Sequence, residues 1–554
     1  MQKLQAFFTI FLLSVFLIIG PQLGISWANE FDQQDLEYYM KFVYDATEFP
    51  LEEHYDYIIV GGGAVGCPLA ATLSAQYSVL LLERGSTPHA KSEVLQQENV
   101  LKNVLEADID GNSPAQAFTS EEGVPNVRGR ILGGGTMINA GFYSRGDEEF
   151  YINSGIEWDL DLVKKSYEWV EETIVFKPPV GTWQSSVRQA LLEVGQGPNN
   201  GFTFDHIIGA KIGGSIFDEV GRRHGAVELL NKATSKNIQV AIHATVERVI
   251  FSSISDLSAS GVIYSDSMGR LHRALLKPEG EVILSAGALG SPQLLLLSGV
   301  GPQPYLSSLN ISVIKHHPSV GQFLADNPRV DVNIIPPLLV ENSGVATAGI
   351  TKDYYIEAIS GSIPFDSAFN YILFPDPSPP VSLPVLTLFF KLAKPLSTGS
   401  LHLASPTDVR IPPRVSFNYF SNPEDMHKCV AGVKNLVKLM NSDAMGKYKE
   451  GREGAREFKF VGRSLPENKT DDAAFETFCH KMLTTMYHYH GGCLAGKVVD
   501  QRFRVFGIDA LRVIDGSTFI SSPGTNPQAT LMMIGRYVGL KMQEERMTMQ
   551  CSLT

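Results

Sequence analysis

The feature that most constrains this chain is a short apolar segment, residues 55–60 (YDYIIV), that runs directly into Gly61-Gly62-Gly63-Ala64-Val65-Gly66. Helical spacing of Leu69, Ala70, Leu73 and Ser74 follows, and then a second apolar run at 78–82 (SVLLL) that enters Glu83-Arg84-Gly85. Glu83 stands 22 residues past Gly61. Glycines alone would mark only a tight turn. Placed between a strand and a helix, with a carboxylate at the end of the next strand, they define a dinucleotide-binding unit. The glycines let backbone approach a pyrophosphate at a helix N-terminus, and the carboxylate accepts from a ribose hydroxyl. A carboxylate there disfavours a 2′-phosphate, so NADP is not expected.

Three further segments bear on the same site. Residues 128–141 hold five glycines in 14 positions, which excludes an ordinary helix or strand and implies a conformationally special loop. Residues 281–301 (EVILSAGALGSPQLLLLSGVG) read as a strand, a small-residue turn and a helix starting near Ser291-Pro292. Segments 242–251 and 259–264 read as strands of a connecting sheet. Between about 330 and 485 the texture changes to a proline cluster at 375–384, a strand at 385–390 (VLTLFF) and long helical patterns, which reads as a separate lobe. Near the end, Asn526 before Pro527 reads as a helix start, Asn capping and Pro at the first helical position, with helical pattern to Glu545. That N-terminus favours negative charge in whatever site it faces.

The N-terminus reads as an address. Lys3 precedes an apolar run at 7–19, and Ser26-Trp27-Ala28 offers small residues at the −3 and −1 positions of a cleavage site. The run is 13 residues long, short of the roughly 20 that span a bilayer, so a signal peptide at 1–28 and a secreted chain beginning near Asn29 are expected, with no membrane span. That compartment permits disulfides. Of five cysteines, Cys67 sits in the glycine-rich turn, Cys493 in a His-Gly-Gly-Cys segment and Cys551 in a tail, which leaves Cys429 and Cys479 to pair. Asn310 and Asn468 open glycosylation sequons. A net charge of −13 and no dense Lys/Arg run exclude nucleic acid as a partner, and no metal site is expected.

Taken together, these segments resemble the glucose–methanol–choline (GMC) family of flavoproteins over nearly all of the mature chain, with both long signatures present at 128–146 and 286–301. Within that family the chain is most similar to the plant (R)-mandelonitrile lyases, through YDAT (44–47), GCPLAATLS (66–74), TIVFKP (173–178), HYHGGC (488–493) and TDDAAFETFC (470–479); the cysteine pair matches as well. The resemblance implies an α/β protein: a Rossmann-like FAD-binding domain plus an α+β substrate domain with a sheet over the flavin. It divides the chain into FAD-binding parts at 53–150, 241–330 and 486–554, a mixed segment at 151–240 and a substrate domain at 331–485. It places Gly61, Gly63, Ala64, Val65 and Gly66 on the pyrophosphate and Glu83, with Arg84 beside it, on the adenosine ribose. Ile131, Thr136, Asn139, Ala140, Gly141 and Phe142 would line the flavin, Val246 would meet the adenine side, and Tyr487, Gly516, Pro527 and Gln528 would close over the ring.

His488 matches the catalytic histidine of the family, and His490 reads as structural. Three positions depart from the lyases: Asn526 replaces a second active-site histidine, Met486 a tyrosine, and Glu357, by approximate alignment, a substrate-contacting cysteine. Whole-chain resemblance gives the expectation of an FAD-containing hydroxynitrile lyase that cleaves (R)-mandelonitrile to benzaldehyde and cyanide. Site chemistry gives the alternative, an alcohol oxidase or dehydrogenase using His488 and Asn526, because asparagine donates a hydrogen bond but carries no proton. Either way the partner is a small cyanohydrin or alcohol, and a monomer is expected.

Overall fold

The computed structural model describes residues 38–109, 111–252, 256–365, 381–451, 456–468 and 470–553. The expected signal peptide at 1–28 and most of the 375–384 proline cluster lie outside them. Two eight-stranded sheets organise the described residues. In the first, six strands run parallel in the order Val43–Asp45, Ile238–Ile242, Val79–Leu82, Glu52–Val60, Leu271–Leu284 and Leu511–Val513. Ser258–Ser265 and Thr245–Ser252 continue from the Leu271–Leu284 strand as an antiparallel meander. The parallel strands are apolar on both faces, as covered strands must be: Ile58, Ile59, Leu80, Leu81, Val282 and Ile283 are all buried. Helix Gly66–Leu73 and the long helix Gln528–Leu553 cover one face, and helix Gly287–Leu297 the other.

The second sheet reads Lys459–Val461, Pro328–Ile335, Val381–Leu392, Tyr354–Phe365, Thr347–Ile350, Gly209–Ile212 and Asn199–Phe202, with Leu483–Thr485 added to Pro328–Ile335. Its three central strands alternate. Val330, Val332, Ile334, Ile356, Ala358, Leu386, Leu388 and Phe390 pack on the back against helices Thr182–Glu193 and Pro423–Met440. Residues between them, such as Arg329, Asp331, Glu357 and Lys391, belong to the opposite face by the two-residue period of a strand. The Cys429–Cys479 disulfide ties helix Pro423–Met440 to helix Asp472–Lys481 within this back layer. Asn310 and Asn468 are exposed. No helix among the described residues is long and apolar enough to cross a membrane.

Three local expectations change. The helix expected near Ser291-Pro292 begins at Gly287, with Pro292 inside it. Its early start is fixed from outside: the Gly287 N–H donates to the Asp515 carboxylate at 3.0 Å, and the Ser291 hydroxyl donates to the same oxygen. Asn526 does not cap the last helix. The Pro527 carbonyl takes the first helical bond from the Leu531 N–H at 2.9 Å, and Asn526 Oδ1 has no partner among the described residues. That helix also continues beyond Glu545 to Leu553, held by Arg546 on Asp56 at 2.8 Å and by its guanidinium 4.4 Å from the Tyr77 ring.

Candidate active site

Between the two sheets lies one elongated cavity of about 620 Å³. One end is the first glycine turn. Gly61 has φ +106°, and a Cβ there would meet the Ser285 carbonyl at 2.5 Å, so the strand can turn only with glycine at this position. Gly63, Ala64 and Val65 line the cavity, whereas Gly66 does not; it is the first residue of the helix, packed against the Gly61 carbonyl. Glu83 is buried, its two oxygens accepting from the Gly62 N–H at 3.0 Å and the Gly85 N–H at 2.8 Å. Burial raises its carboxyl above the usual range despite those bonds. Arg84 and Val246 line this end too, and burial pushes the Arg84 guanidinium down to about 10.

The second glycine loop forms the middle. Thr136, Asn139, Ala140, Gly141 and Phe142 line the cavity; Ile131 instead points its bulk into the core and is 1% exposed. The loop is locked by a residue that carried no sequence signal, Arg223. Fully buried, it donates to the Thr136 carbonyl at 2.9 Å, to Asn139 Oδ1 at 2.9 Å and to the Asn139 carbonyl at 2.6 Å. Asn139 in turn donates to Gln528 at 2.8 Å, and Gln528 donates to the Phe142 carbonyl at 2.6 Å, which joins this loop to the last helix. Gly134, at φ +58°, lies so close to the first turn that a Cβ would sit 2.8 Å from Gly63 Cα. The two glycine segments therefore form one bare-backbone cradle, the surface a pyrophosphate requires.

The far end is bounded by the second sheet and by Met486, Tyr487, His488, Gly516, Asn526, Pro527 and Gln528. Tyr487 holds φ +62°, a left-handed conformation that a tyrosine rarely adopts, with its N–H on Thr485 at 2.8 Å. The His488 N–H donates to Asp326 at 2.9 Å, and Asp326 also accepts from the hydroxyls of Tyr419 and Thr485. His488 lines the cavity, and its Nδ1 lies 3.4 Å from the Tyr355 hydroxyl. Burial first, then Lys391, His490 and Arg329, hold the imidazole well below its ordinary pKa and so neutral. His490 lies off the cavity, its Nδ1 on the His488 carbonyl at 2.9 Å.

The sheet face over this end is polar, which the sequence reading touched only at Glu357. Strand register lines up Arg329 with Lys391 and Tyr355, then Asp331 with Phe389 and Glu357, then Asn333 with Thr387 and Ile359. Each charge is paired: Arg329 with Asp331 at 2.9 Å, and Lys391 with Glu357, both fully buried. Thr387 donates to Asn333 at 2.7 Å. The missed signal was the polar–apolar alternation of 328–334 (PRVDVNI).

The GMC oxidoreductase family profile matches residues 55–329 and 395–535. The chain is 54% identical over 534 residues to the sinapyl alcohol oxidase Nec3 of Nesocodon mauritianus, covering 95% of this chain and 96% of that protein. It is 53% identical over 510 residues to (R)-mandelonitrile lyase 1 of Prunus serotina, covering 92% and 90%. The fold is similar to that of the formate oxidase of Aspergillus oryzae, with a TM-score of 0.74 at 20% identity over 90% of this chain and 99% of that one.

Proposed function

The chain belongs to the GMC oxidoreductase family and is an FAD-containing enzyme, and from that premise we propose that it oxidises alcohols, with His488 and Asn526 acting on the carbinol. The residues present fit the cofactor, since the double-glycine cradle, the buried Glu83 and the Asn139–Gln528 bridge line one continuous cavity. Gly61, Gly63, Ala64 and Val65 would hold the pyrophosphate, Glu83, Arg84 and Val246 the adenosine end, and Thr136 through Phe142 with Tyr487, Gly516, Pro527 and Gln528 the flavin end. Bound there, FAD supplies the acceptor for the hydride that leaves the carbinol carbon. Neutral His488 takes the hydroxyl proton at Nε2, and its Nδ1–H donates to Tyr355, the tautomer that leaves Nε2 bare. Asn526, with no other partner for its amide oxygen and no part in the helix cap, is free to orient the carbinol oxygen through its amide.

The observation that carries this reading over the lyase is the pairing of the pocket's cations. Cyanohydrin cleavage expels an anion that must be stabilised before it is protonated, yet Arg329 and Lys391 are each neutralised by a neighbouring carboxylate. Burial also pushes the Lys391 ammonium below the usual lysine range. Oxidation of an alcohol releases no anion into the pocket, since the hydroxyl proton goes to His488 and the hydride to the flavin. The lyase reading is supported by 53% identity to the Prunus enzyme over 510 residues, which the 54% identity to the alcohol oxidase matches. Anaerobic mixing separates the two. Bleaching of the flavin by a benzylic or allylic alcohol, with no cyanide from mandelonitrile, is the expected result; cyanide and benzaldehyde without bleaching would reverse the assignment.

The proposal extends to Glu357 and Met486 as substrate contacts, to the domain division at 150, 240, 330 and 485, and to secretion as a monomeric glycoprotein carrying sugar at Asn310 and Asn468. The disulfide and the exposure of both asparagines support the compartment.

A further inference from the structure

The turn that carries His488 is held by a carboxylate from a distant part of the chain. Asp326 is buried and accepts from the His488 N–H at 2.9 Å, from the Tyr419 hydroxyl at 2.6 Å and from the Thr485 hydroxyl at 2.7 Å. Thr485 in turn accepts from the Tyr487 N–H at 2.8 Å, so the left-handed Tyr487 is bracketed by two bonds that lead back to Asp326. Beside it Ala325 and His490 exchange backbone bonds at 2.8 and 2.9 Å. Every donor on Asp326 is neutral, and among the described residues no lysine, arginine or histidine pairs with it. A buried carboxylate without a cation is costly, and this fold keeps one on the backbone of the base.

We propose that Asp326 is a positioning residue for the reaction: it fixes the Tyr487–His488 turn and supplies the negative charge against which the His488 imidazole becomes positive when it takes the hydroxyl proton. The inference rests on the alcohol-oxidising reading and deepens it. In that reaction the proton passes from the carbinol hydroxyl to His488 and the hydride leaves for the bound flavin, so the charge that appears on the protein is the imidazolium. At rest His488 is neutral, and Arg329 and Lys391 are each matched by a carboxylate. Asp326 has no opposite charge until the base is protonated, and a charge set in place beforehand costs no reorganisation at that moment. The groups that face it stay neutral around pH 7. Burial above all holds Tyr419 from the loop ahead of helix Pro423–Met440, Tyr487 and Tyr489 from the closing segment and Tyr355 from the sheet above the ordinary tyrosine range. His490 is held down at about 4 by burial. Asp326 itself is raised to about 6 by burial against the bonds it accepts, so it is ionised at pH 7 and neutral well below 6.

Stopped-flow reduction of the FAD-loaded enzyme by benzyl and allyl alcohol, followed between about pH 5 and 9, tests both parts. In the wild-type enzyme the limiting rate should rise as pH passes through about 6, where Asp326 ionises. Asp326→Asn keeps an oxygen for the His488 N–H and removes the charge. Its rate at about pH 8 should fall by about 10- to 100-fold, the scale on which a charge about 5 Å away acts inside a protein, and the rise near 6 should vanish. Tyr419→Phe deletes one donor to the ionised carboxylate, so the rise should move up to about 7. A purely structural role would lower rate and melting temperature in both variants and leave the rise in place. A rise near 6 that persists in Asp326→Asn overturns the inference, as does one that stays put in Tyr419→Phe, which decides the matter if the first variant does not fold. No flavin reduction by either alcohol would overturn this inference together with the alcohol-oxidising reading; reduction with an unmoved rise would overturn this inference alone.

Discussion

Gly63 separates cofactor affinity from fold stability more cleanly than any other position in the cradle. A Cβ built on it meets no heavy atom closer than Gly134 Cα at 3.9 Å, an ordinary contact, and its φ lies outside the left-handed region. The apo-protein should therefore tolerate Gly63→Ala within about 0.5 kcal/mol, and a reduced entropy of the unfolded chain pulls toward stabilisation. The added methyl projects into the cavity where backbone approaches the pyrophosphate. Overpacking of that kind costs about 1–3 kcal/mol, which is a weakening of FAD binding by about 5- to 150-fold. Gly66→Ala is the contrast, because its Cβ would lie 2.0 Å from the Gly61 carbonyl oxygen and the turn itself must move. Titrating apo-protein with FAD by fluorescence quenching gives the affinities, and thermal melts with and without FAD give the stabilities. In Gly63→Ala the melt without FAD should match wild type, and only the FAD-dependent gain should shrink, by about 1.4 kcal/mol for each tenfold loss of affinity. An apo melt as depressed as that of Gly66→Ala, or an unchanged FAD affinity, would refute the reasoning.

His488→Ala should retain FAD and lose about 10²- to 10⁴-fold in the rate of flavin reduction by alcohol, the share of a general base, as read by stopped-flow absorbance. Asn526→His should change that rate while releasing no cyanide from mandelonitrile, and its melting temperature should fall little, since Asn526 caps nothing. The pH dependence of stability should bear the mark of His490, which burial holds down at about 4. Because its folded pKa is depressed, the unfolded chain takes up the proton first, so stability falls as pH drops from about 6.5 toward 4, by about 2 kcal/mol between pH 7 and 5. Asp326, raised to about 6 by burial, takes up its proton in the folded chain and returns part of that loss over the same window. Urea melts of His490→Gln at the two pH values should show the histidine's share removed; an unchanged difference would count against it. Removing the Cys429–Cys479 link, which closes a 50-residue separation, should lower stability by about 4 kcal/mol on the chain-entropy model, measured by denaturant titration of the double serine variant.

The cofactor half of the molecule was legible because its determinants are local. A strand, a glycine turn, a helix and a carboxylate within 29 residues specify one another through backbone geometry, and the structure has that order at Glu52–Val60, Gly66–Leu73 and Val79–Leu82. Where the reading slipped, a distant group had taken over a local task. Asp515 starts the helix at Gly287, some 228 residues earlier in the chain, and Arg223 pins the glycine-rich loop at Asn139 from 84 residues away. No spacing rule connects such partners.

The substrate half was less legible for a different reason. Alternation in PRVDVNI announces a strand with one polar face, and the bland reading of a polar face is solvent. Only the packing of this sheet against the cofactor domain turns Arg329, Asp331, Glu357 and Lys391 from surface charges into pocket lining. The same packing decides the chemistry, since a cation means one thing to a departing anion when it is alone and another when a carboxylate sits beside it. Identity above 50% to both an oxidase and a lyase cannot weigh that difference, because it turns on a few positions. Exchanging Glu357 for the cysteine expected at this place in the lyases would leave Lys391 unpaired in the pocket. Cyanide release from mandelonitrile should then rise above that of the wild-type enzyme. No rise, in a variant shown to fold and to hold FAD, would mean that charge pairing is not what holds this pocket to alcohols.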